Sequence, residues 1–527
     1  MYSLRRNSRA RARCRLASDR LLKALCIFLS CCLAACAVGP DFARPTAPAG
    51  QRYTYEKEHA QTIVAEGGAQ RFEQSAKIAA DWWRLFDCPK LDAVVMQSVA
   101  NNPTLQAAQA SLRQSEDNLR AGYGIFFPQL SGSFQPTRQR FSPARFGQGA
   151  GPSTFNLYTF STTASYVLDV FGGERRTVEG LGAQADVQYY NAQGTYLTLS
   201  GNIVNSMVAE AAYQGEIEAT EQIVGFLEEQ TRITAAQARA GTVPYSNLLS
   251  IQSQLATTEA TLPPLLQQLA HTRDLLATLA GQAPADWAPP RVTLSELKLP
   301  DDLPVSLPSD LVRQRPDILV AEAQLHSASA QIGVATAALF PNFNLTADYG
   351  LNSTTLSTLF ASSAAFWTLG ASVATPVIQG PTLWFQRKAA IDAYQQSLAN
   401  YRQTVLAALA QVADALDALQ HDAQTLRAES QAVDASTEAL HLIQANYQAG
   451  TVNYVQVLIA DYQYQQAELG YIQAMGQRLQ DTAALFVALG GGWWSAPENA
   501  IGNSSARNAG GNLIPQANSQ RAGANPP

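Results

Sequence analysis

From Trp384 to Gly450, apolar residues or alanines recur at Ile391, Tyr394, Leu398, Tyr401, Val405, Leu409, Val412, Leu416, Leu419, Ala423, Leu426, Val433, Leu440, Ile443 and Tyr447. Alternating steps of three and four, with one stutter near Val405, describe a coiled-coil seam. Glu174 to Ala240 predicts a helix of the same length. At 1.5 Å per residue each would reach on the order of 100 Å. No single partner covers a seam that long, so these helices are expected to pack laterally in a multichain array. Each ends in a near-identical turn, Ala240-Gly241-Thr242-Val243-Pro244-Tyr245 and Ala449-Gly450-Thr451-Val452-Asn453-Tyr454, where glycine supplies a left-handed C-terminal residue. Return helices are predicted over Asn247–Leu279 and Gln456–Leu489.

Ahead of each long helix the period changes to two. In Asn342 to Tyr349, Phe343, Leu345, Ala347 and Tyr349 oppose Asn342, Asn344, Thr346 and Asp348. In Phe366 to Thr375, Trp367, Leu369, Ala371 and Val373 oppose Phe366, Thr368, Gly370, Ser372 and Ala374. Leu130, Gly132 and Phe134 alternate with Ser131, Ser133 and Gln135, and Phe155 to Asp169 is rich in aromatics and Thr. Strands of about ten residues with one apolar face suit an outer-membrane barrel. On pattern alone a soluble sandwich with half-buried strands fits equally well. Phe141–Pro152 and Leu351–Ser363 are Gly/Ser/Pro-rich loops expected to face outward. Four strands cannot close a barrel, and an open edge cannot face lipid, so a spanning sheet requires several protomers to pool strands.

These elements occur twice, with 113 residues from Pro128 to Gly241 and 109 from Pro341 to Gly450. A period this long is the duplication of an architectural unit. Expected divisions are a leader (1–35), an N-terminal arm and start (36–90), a first repeat (91–282), a Pro/Asp-rich connector (283–308), a second repeat (309–494) and a disordered tail (495–527). Residues 37–80 read as an extended arm. Asp81 to about Arg120 reads as helical.

The leader sharpens the compartment. Arg5, Arg6, Arg9, Arg11, Arg13, Arg15, Arg20 and Lys23 precede an apolar run ending Leu33-Ala34-Ala35-Cys36, the layout of an export signal. The residues after Arg5-Arg6 do not extend a twin-arginine motif. Removing residues 1–35 takes eight Lys/Arg and one acid, leaving 28 basic against 41 acidic residues, a net charge of −13. That excludes a general nucleic-acid-binding surface. Four of the six cysteines leave with the leader; beyond Cys36 only Cys88 remains, so no intrachain disulfide is expected. No 18-residue apolar run follows the leader, which excludes a spanning helix.

The chain resembles TolC-like outer-membrane factors of the lipoprotein, NodT-type branch. The matching stretches are Cys36-Ala37-Val38-Gly39-Pro40-Asp41-Phe42 with Arg44-Pro45, Asp81-Trp82-Trp83 with Phe86 and Leu91, and Leu168-Asp169-Val170-Phe171-Gly172. Arg315-Pro316-Asp317-Ile318 with Ala321-Glu322, Phe340-Pro341 and Ala488-Leu489-Gly490-Gly491-Gly492-Trp493 complete them. The resemblance implies a fold that is mainly α with membrane β: a homotrimer sharing a 12-stranded β-barrel and a long helical α-barrel, with an internal two-fold repeat. It implies that Leu33-Ala34-Ala35-Cys36 is a lipobox, so that Cys36 carries N-palmitoyl and S-diacylglycerol groups. Ala37 rather than Asp after it points to the outer membrane, with the body extending into the periplasm. It also implies a periplasmic adaptor (membrane fusion) protein and an inner-membrane pump of the resistance-nodulation-division or major facilitator type. The function implied is the passive exit duct of a tripartite efflux system for small molecules. A type I protein-secretion duct shares this architecture, and a structural coiled-coil lipoprotein or adhesin is the reading from another class.

Gly241, Thr242, Val243, Gly450, Thr451 and Val452 are the expected adaptor-docking tips. Such channels commonly close their periplasmic mouth with aspartate rings just beyond the second tip. Alignment on Gly450-Thr451 places those positions at Gln456 and Ile459. Ile459, with Tyr454 and Leu458 nearby, would instead form an apolar constriction that impedes ions by dewetting. Asp461 lies two residues on, about 200° around the helix.

Catalytic chemistry has no footing in the sequence. His59, His271, His326, His421 and His441 show no metal-ligand spacing, and HExxH, GxSxG, Walker and acid-followed GxGxxG motifs are missing. Gly172-Gly173 reads as a strand-to-helix turn. Asp414 and Asp417, three apart, read as a solvated or lumen face. Arg315-Pro316-Asp317 reads as a helix start, with Pro in the first turn and Asp at the positive end of the dipole.

Overall fold

The computed structural model describes residues 37–495 apart from 51, 56–58, 75–77, 142–152 and 377. The leader, Cys36, nearly all of the first outward loop and the tail from residue 496 lie outside the described residues. In chain order the elements are β1 (Arg71–Gln74), α1 (Pro89–Asn101), α2 (Pro103–Gly122), β2 (Gln129–Phe141), β3 (Ser153–Leu168), α3 (Gly173–Arg239), α4 (Tyr245–Glu259) and α5 (Leu262–Leu279). There follow β4 (Asp302–Val305), α6 (Pro308–Gln314), α7 (Pro316–Ala337), β5 (Asn342–Ser353), β6 (Ala365–Ala374), α8 (Gly380–Gln448) and α9 (Tyr454–Ala488).

The chain divides into two compact units. The first gathers residues up to Arg44, Gln114–Asp186 and Glu322–Asn400. Its four strands form a single antiparallel sheet in the order β2-β3-β5-β6. The register aligns one apolar face: Leu130 opposite Ala164, Phe134 opposite Phe160, Phe160 opposite Leu351, Tyr349 opposite Trp367, and Phe343 opposite Val373. The other face is polar, running Ser131–Thr163–Asp348–Thr368 and Gln135–Thr159–Asn352, with Phe141, Phe155, Leu157, Val167 and Phe366 among the exceptions. Leu130, Tyr349, Trp367 and Leu369 are exposed. The other sheet among the described residues, β1 with β4, has two strands of four residues each, too small to be the second layer of a sandwich. The strands outrun the pattern that revealed them: β2 continues through Pro136 to Phe141. Proline is tolerated there because β2 is an edge strand.

The second unit comprises Pro45–Arg113, Val187–Ala321 and the chain from Tyr401. Its core centres on Trp82, Trp83, Phe86 and Phe486, with Ile203, Met207, Leu276 and Leu419 buried around them. Trp82 stacks on Phe486 at 5.3 Å. Cys88 is buried, as a small apolar residue would be. The arm and the connector are not featureless: β1 and β4 pair in parallel over Arg71–Asp302 to Gln74–Val305. Four-residue strands this short leave no usable period in the sequence. The helical stretch from Asp81 also subdivides, with a 3-10 turn at Trp82–Phe86 and a break at Asn102 before Pro103.

α3 has 67 residues and α8 has 69. The seam of α8 is buried from Tyr401 to Leu426 except at the half-buried Leu409, and it is only half-buried at Leu398, Val433 and Ile443. The return of the second hairpin is one helix of 35 residues. The first return is not continuous: α4 stops at Glu259 and α5 starts at Leu262, ahead of Pro263-Pro264. Proline lacks an amide hydrogen and is accommodated in a helix only at its first turn, so the single helix expected over Asn247–Leu279 is two.

Candidate functional site

The two long helices end in the same capped turn. Gly241 and Gly450 have φ of +70° and +76°. Thr242 N–H donates to the Gln237 carbonyl (3.0 Å) and Gly241 N–H to that of Ala238 (3.1 Å). In the second tip Thr451 donates to Asn446 (3.0 Å) and Gly450 to Tyr447 (2.9 Å). This is the Schellman arrangement. The Thr242 and Thr451 hydroxyls donate to the same Gln237 and Asn446 carbonyls at 2.9 Å. Nothing lies within 4 Å of a Cβ built on either glycine, so backbone handedness rather than crowding requires glycine here. Both glycines and both threonines are exposed, while Val243 and Val452 are half-buried. The exits differ. Asn453 caps α9 by accepting from the Gln456 amide at 3.2 Å, whereas Pro244 before α4 offers no side-chain cap.

Behind the tips the two hairpins are stitched together. Ile223 and Leu227 from α3, Leu248 and Ile251 from α4, and Tyr454 and Val457 from α9 form one buried cluster. Tyr454 rests 5.3 Å from the Tyr447 ring, and its hydroxyl bonds to the Gln230 side chain. Burial pushes its phenol well above the usual range.

The four residues expected at the constriction therefore do not share a face. Tyr454 is buried and Leu458 packs half-buried on the same cluster. Gln456 and Ile459 are exposed. The exposed apolar stripe of α9 is Val455, Ile459 and Tyr462, at 44%, 53% and 48%. Their i, i+4, i+7 spacing places them on one line. Asp461 is on the far side, 6% exposed. Burial pushes its carboxyl up to about 6, against the pull of a hydrogen bond donated by Gln465 Nε2. The helical period of 3.6 sets Val455 and Tyr462, rather than Tyr454 and Leu458, beside Ile459 on the exposed face.

In the first unit the segment that follows Cys36 is clamped. Val38 N–H donates to the Phe171 carbonyl at 2.9 Å. Gly39, at φ +100°, lies so near Gly333 that a Cβ would come within 2.5 Å of its Cα. Arg176 Nη2 donates to Asp41 (2.6 Å) and its Nη1 to Glu179 (2.7 Å). Glu179 also meets His326 Nε2 at 3.0 Å, and the His326 ring stacks on Phe42 at 4.4 Å. Arg44 pairs with Glu322 at 2.7 Å. Burial alone would raise the Glu179 carboxyl, but the bonds from His326 and Arg176 prevail and hold it below its usual range. Asp169 caps the helix beside this clamp, accepting from the Glu174 and Arg175 amides at 3.1 and 3.0 Å. Asp41, Phe42, Arg44, Asp169 and Glu322 lie in the stretches that carried the family resemblance, whereas Arg176, Glu179 and His326 do not, and the cap and ion-pair roles of all of them have no periodic signal.

Arg315 is buried and donates to Asp317 (3.0 and 2.6 Å), the Ala488 carbonyl (2.7 Å) and Gln411 (2.8 Å). It ties the start of α7 to the end of α9 within the second unit. Asp414 and Asp417 are exposed on α8. Among the described residues no group of three or more His, Cys, Asp or Glu could hold a metal ion, and none of the helices is long and apolar enough to cross a membrane.

A model of the outer membrane efflux protein family matches residues 94–282 and 307–491. The pyoverdine export outer membrane protein OpmQ of Pseudomonas putida is 28% identical over 416 residues, covering 78% of this chain and 88% of its own. The probable outer membrane lipoprotein SilC of Salmonella typhimurium is 26% identical over 478 residues, 90% of this chain and 99% of its own. The solved outer-membrane channel OprN superposes with a TM-score of 0.79 at 26% identity, covering 87% of this chain and all of that one.

Proposed function

Because this chain belongs to the outer membrane efflux protein family, we propose that it is the exit duct of a tripartite efflux system, passing small molecules through the periplasm and across the outer membrane. The observation that carries this reading is the sheet. It has one apolar face and one polar face, and two unpaired edge strands, β2 and β6. A lipid-exposed edge costs several kcal/mol for each unpaired backbone group. Three copies joined β6 to β2 close a barrel of twelve strands with the apolar face outward. Its lumen is lined by Ser, Thr, Gln and Asn with Asp348 as the acid of each protomer. The half-buried ends of the α8 seam fit the same assembly, in which neighbouring protomers complete the helical wall.

The Gly241–Val243 and Gly450–Val452 tips are rigidly capped and solvent-facing, suiting them to dock a periplasmic adaptor that links the duct to an inner-membrane pump of the resistance-nodulation-division or major facilitator type. Three Val455–Ile459–Tyr462 stripes would form the apolar mouth. Cys36, acylated with N-palmitoyl and S-diacylglycerol groups, would anchor the clamped N-terminal segment to outer-membrane lipid. The matched family is one of channels rather than enzymes, so transport here is passive and substrate choice belongs to the pump. Deleting the gene should raise cellular accumulation of ethidium, and the wild-type gene on a plasmid should restore export. Unchanged accumulation on deletion, in a strain lacking other such ducts, would remove the efflux reading.

A further inference from the structure

The apolar face of the sheet has measurable limits. Its rows run from Leu168–Phe343–Val373 at the helix end to Tyr158–Pro136 at the loop end, ten residue steps along β3. At about 3.3 Å per residue and a tilt near 40°, that band is about 25 Å tall. It matches the apolar belt of an outer-membrane barrel, with the β2–β3 loop outside. β2 does not stop there. Arg138, opposite Asn156, and Arg140, opposite Thr154, continue the face that carries Leu130 and Phe134. They stand roughly 5 and 10 Å beyond the band, where lipid headgroups lie.

Both side chains are exposed, and neither has an ion pair among the described residues. The sequence from Gln129 to Leu168 contains no Asp or Glu. Two arginines directed at lipid just above the belt, without a counter-ion from their own hairpin, form a site whose missing half is anionic. Guanidinium groups bind phosphate through two parallel hydrogen bonds. We infer that Arg138 and Arg140 hold the phosphorylated headgroup of an outer-leaflet glycolipid, one site on each protomer. This inference rests on the barrel reading above.

The test uses full-length protein purified in mild detergent, incubated with diphosphoryl lipid A or fully dephosphorylated lipid A and examined by native mass spectrometry. Wild-type trimers should retain the phosphorylated form preferentially. Arg138→Gln with Arg140→Gln should remove that preference, at about fivefold per arginine, while single-channel conductance and trimer yield stay at wild-type levels. Arg138→Lys with Arg140→Lys should keep part of it. A preference for the phosphorylated lipid that survives the double Gln change would overturn the proposal, as would equal retention of both lipids by wild type. Inorganic phosphate that competes as well as lipid A would show a free-anion site and overturn it too. Absence of wild-type conductance would instead sink the barrel reading.

Discussion

Asp461 offers a quantitative check on the tip region. Its carboxyl is buried and raised to about 6, from an ordinary 3.8. An acid whose folded value is raised binds its proton more tightly in the folded state. It therefore costs no stability well below pH 3.8, costs progressively more as pH climbs, and reaches its full cost above pH 6. At 1.36 kcal/mol for each pH step between 3.8 and about 6, that cost is about 3 kcal/mol at pH 8 and well under about 1 kcal/mol at pH 4. Asp461→Asn keeps the side-chain shape and an oxygen that accepts from Gln465 Nε2, but cannot ionise. The variant should melt a few degrees above wild type at pH 8 and nearly level with it at pH 4. Far-ultraviolet circular dichroism of detergent-solubilised trimers, scanned at one rate, reads this directly. The difference between variant and wild type isolates Asp461 from Asp422, another acid raised by burial and by Asp481 beside it. Equal melting at pH 8, or a gain of the same size at both pH values, would show that Asp461 is not buried behind α9 as described.

Three further outcomes follow from the same geometry. Arg at Thr242 or at Thr451 should abolish export without lowering trimer yield or membrane insertion, since both positions are exposed and the caps retain their backbone bonds; transport persisting in both variants would refute docking at the tips. Ile459→Asp should introduce micromolar block of conductance by multivalent cations from the periplasmic side, whereas wild type should show only weak block; micromolar block of wild type would mean that an acidic ring already exists. Cys36→Ala should abolish acyl labelling while leaving some functional outer-membrane trimer, because the sheet itself inserts; complete loss of trimer would contradict a barrel built from β2, β3, β5 and β6.

The large elements were legible because they are periodic. The seam from Ile391 to Tyr447 lies within a single 69-residue helix, and the alternation in Asn342–Tyr349 lies within β5. What escaped has no period to read. β1 and β4 are four residues each, defined by pairing with each other across more than 200 residues of sequence. The break between α4 and α5 was written as Pro263-Pro264, but two prolines at a first turn look the same whether a helix begins there or bends. On α9, Tyr454 and Leu458 stand near Ile459 in sequence, yet they pack against Ile223 and Leu227 of the other repeat's α3, where Tyr454 also bonds to Gln230. Of the clamp on residues 38–44, only Asp41, Phe42, Arg44 and Glu322 fall in the matching stretches; Arg176, Glu179 and His326 meet Asp41 and Phe42 through tertiary structure alone.

The central claim is that this chain forms a water-filled duct through the outer membrane, and conductance in planar lipid bilayers tests it most directly. Purified full-length trimers should insert and pass current in uniform steps, one step per trimer. Ile459→Gly, which removes the middle of the apolar stripe, should raise open probability without changing the oligomer. Trimers that insert into the bilayer yet pass no current, in wild type and in Ile459→Gly alike, would contradict the account.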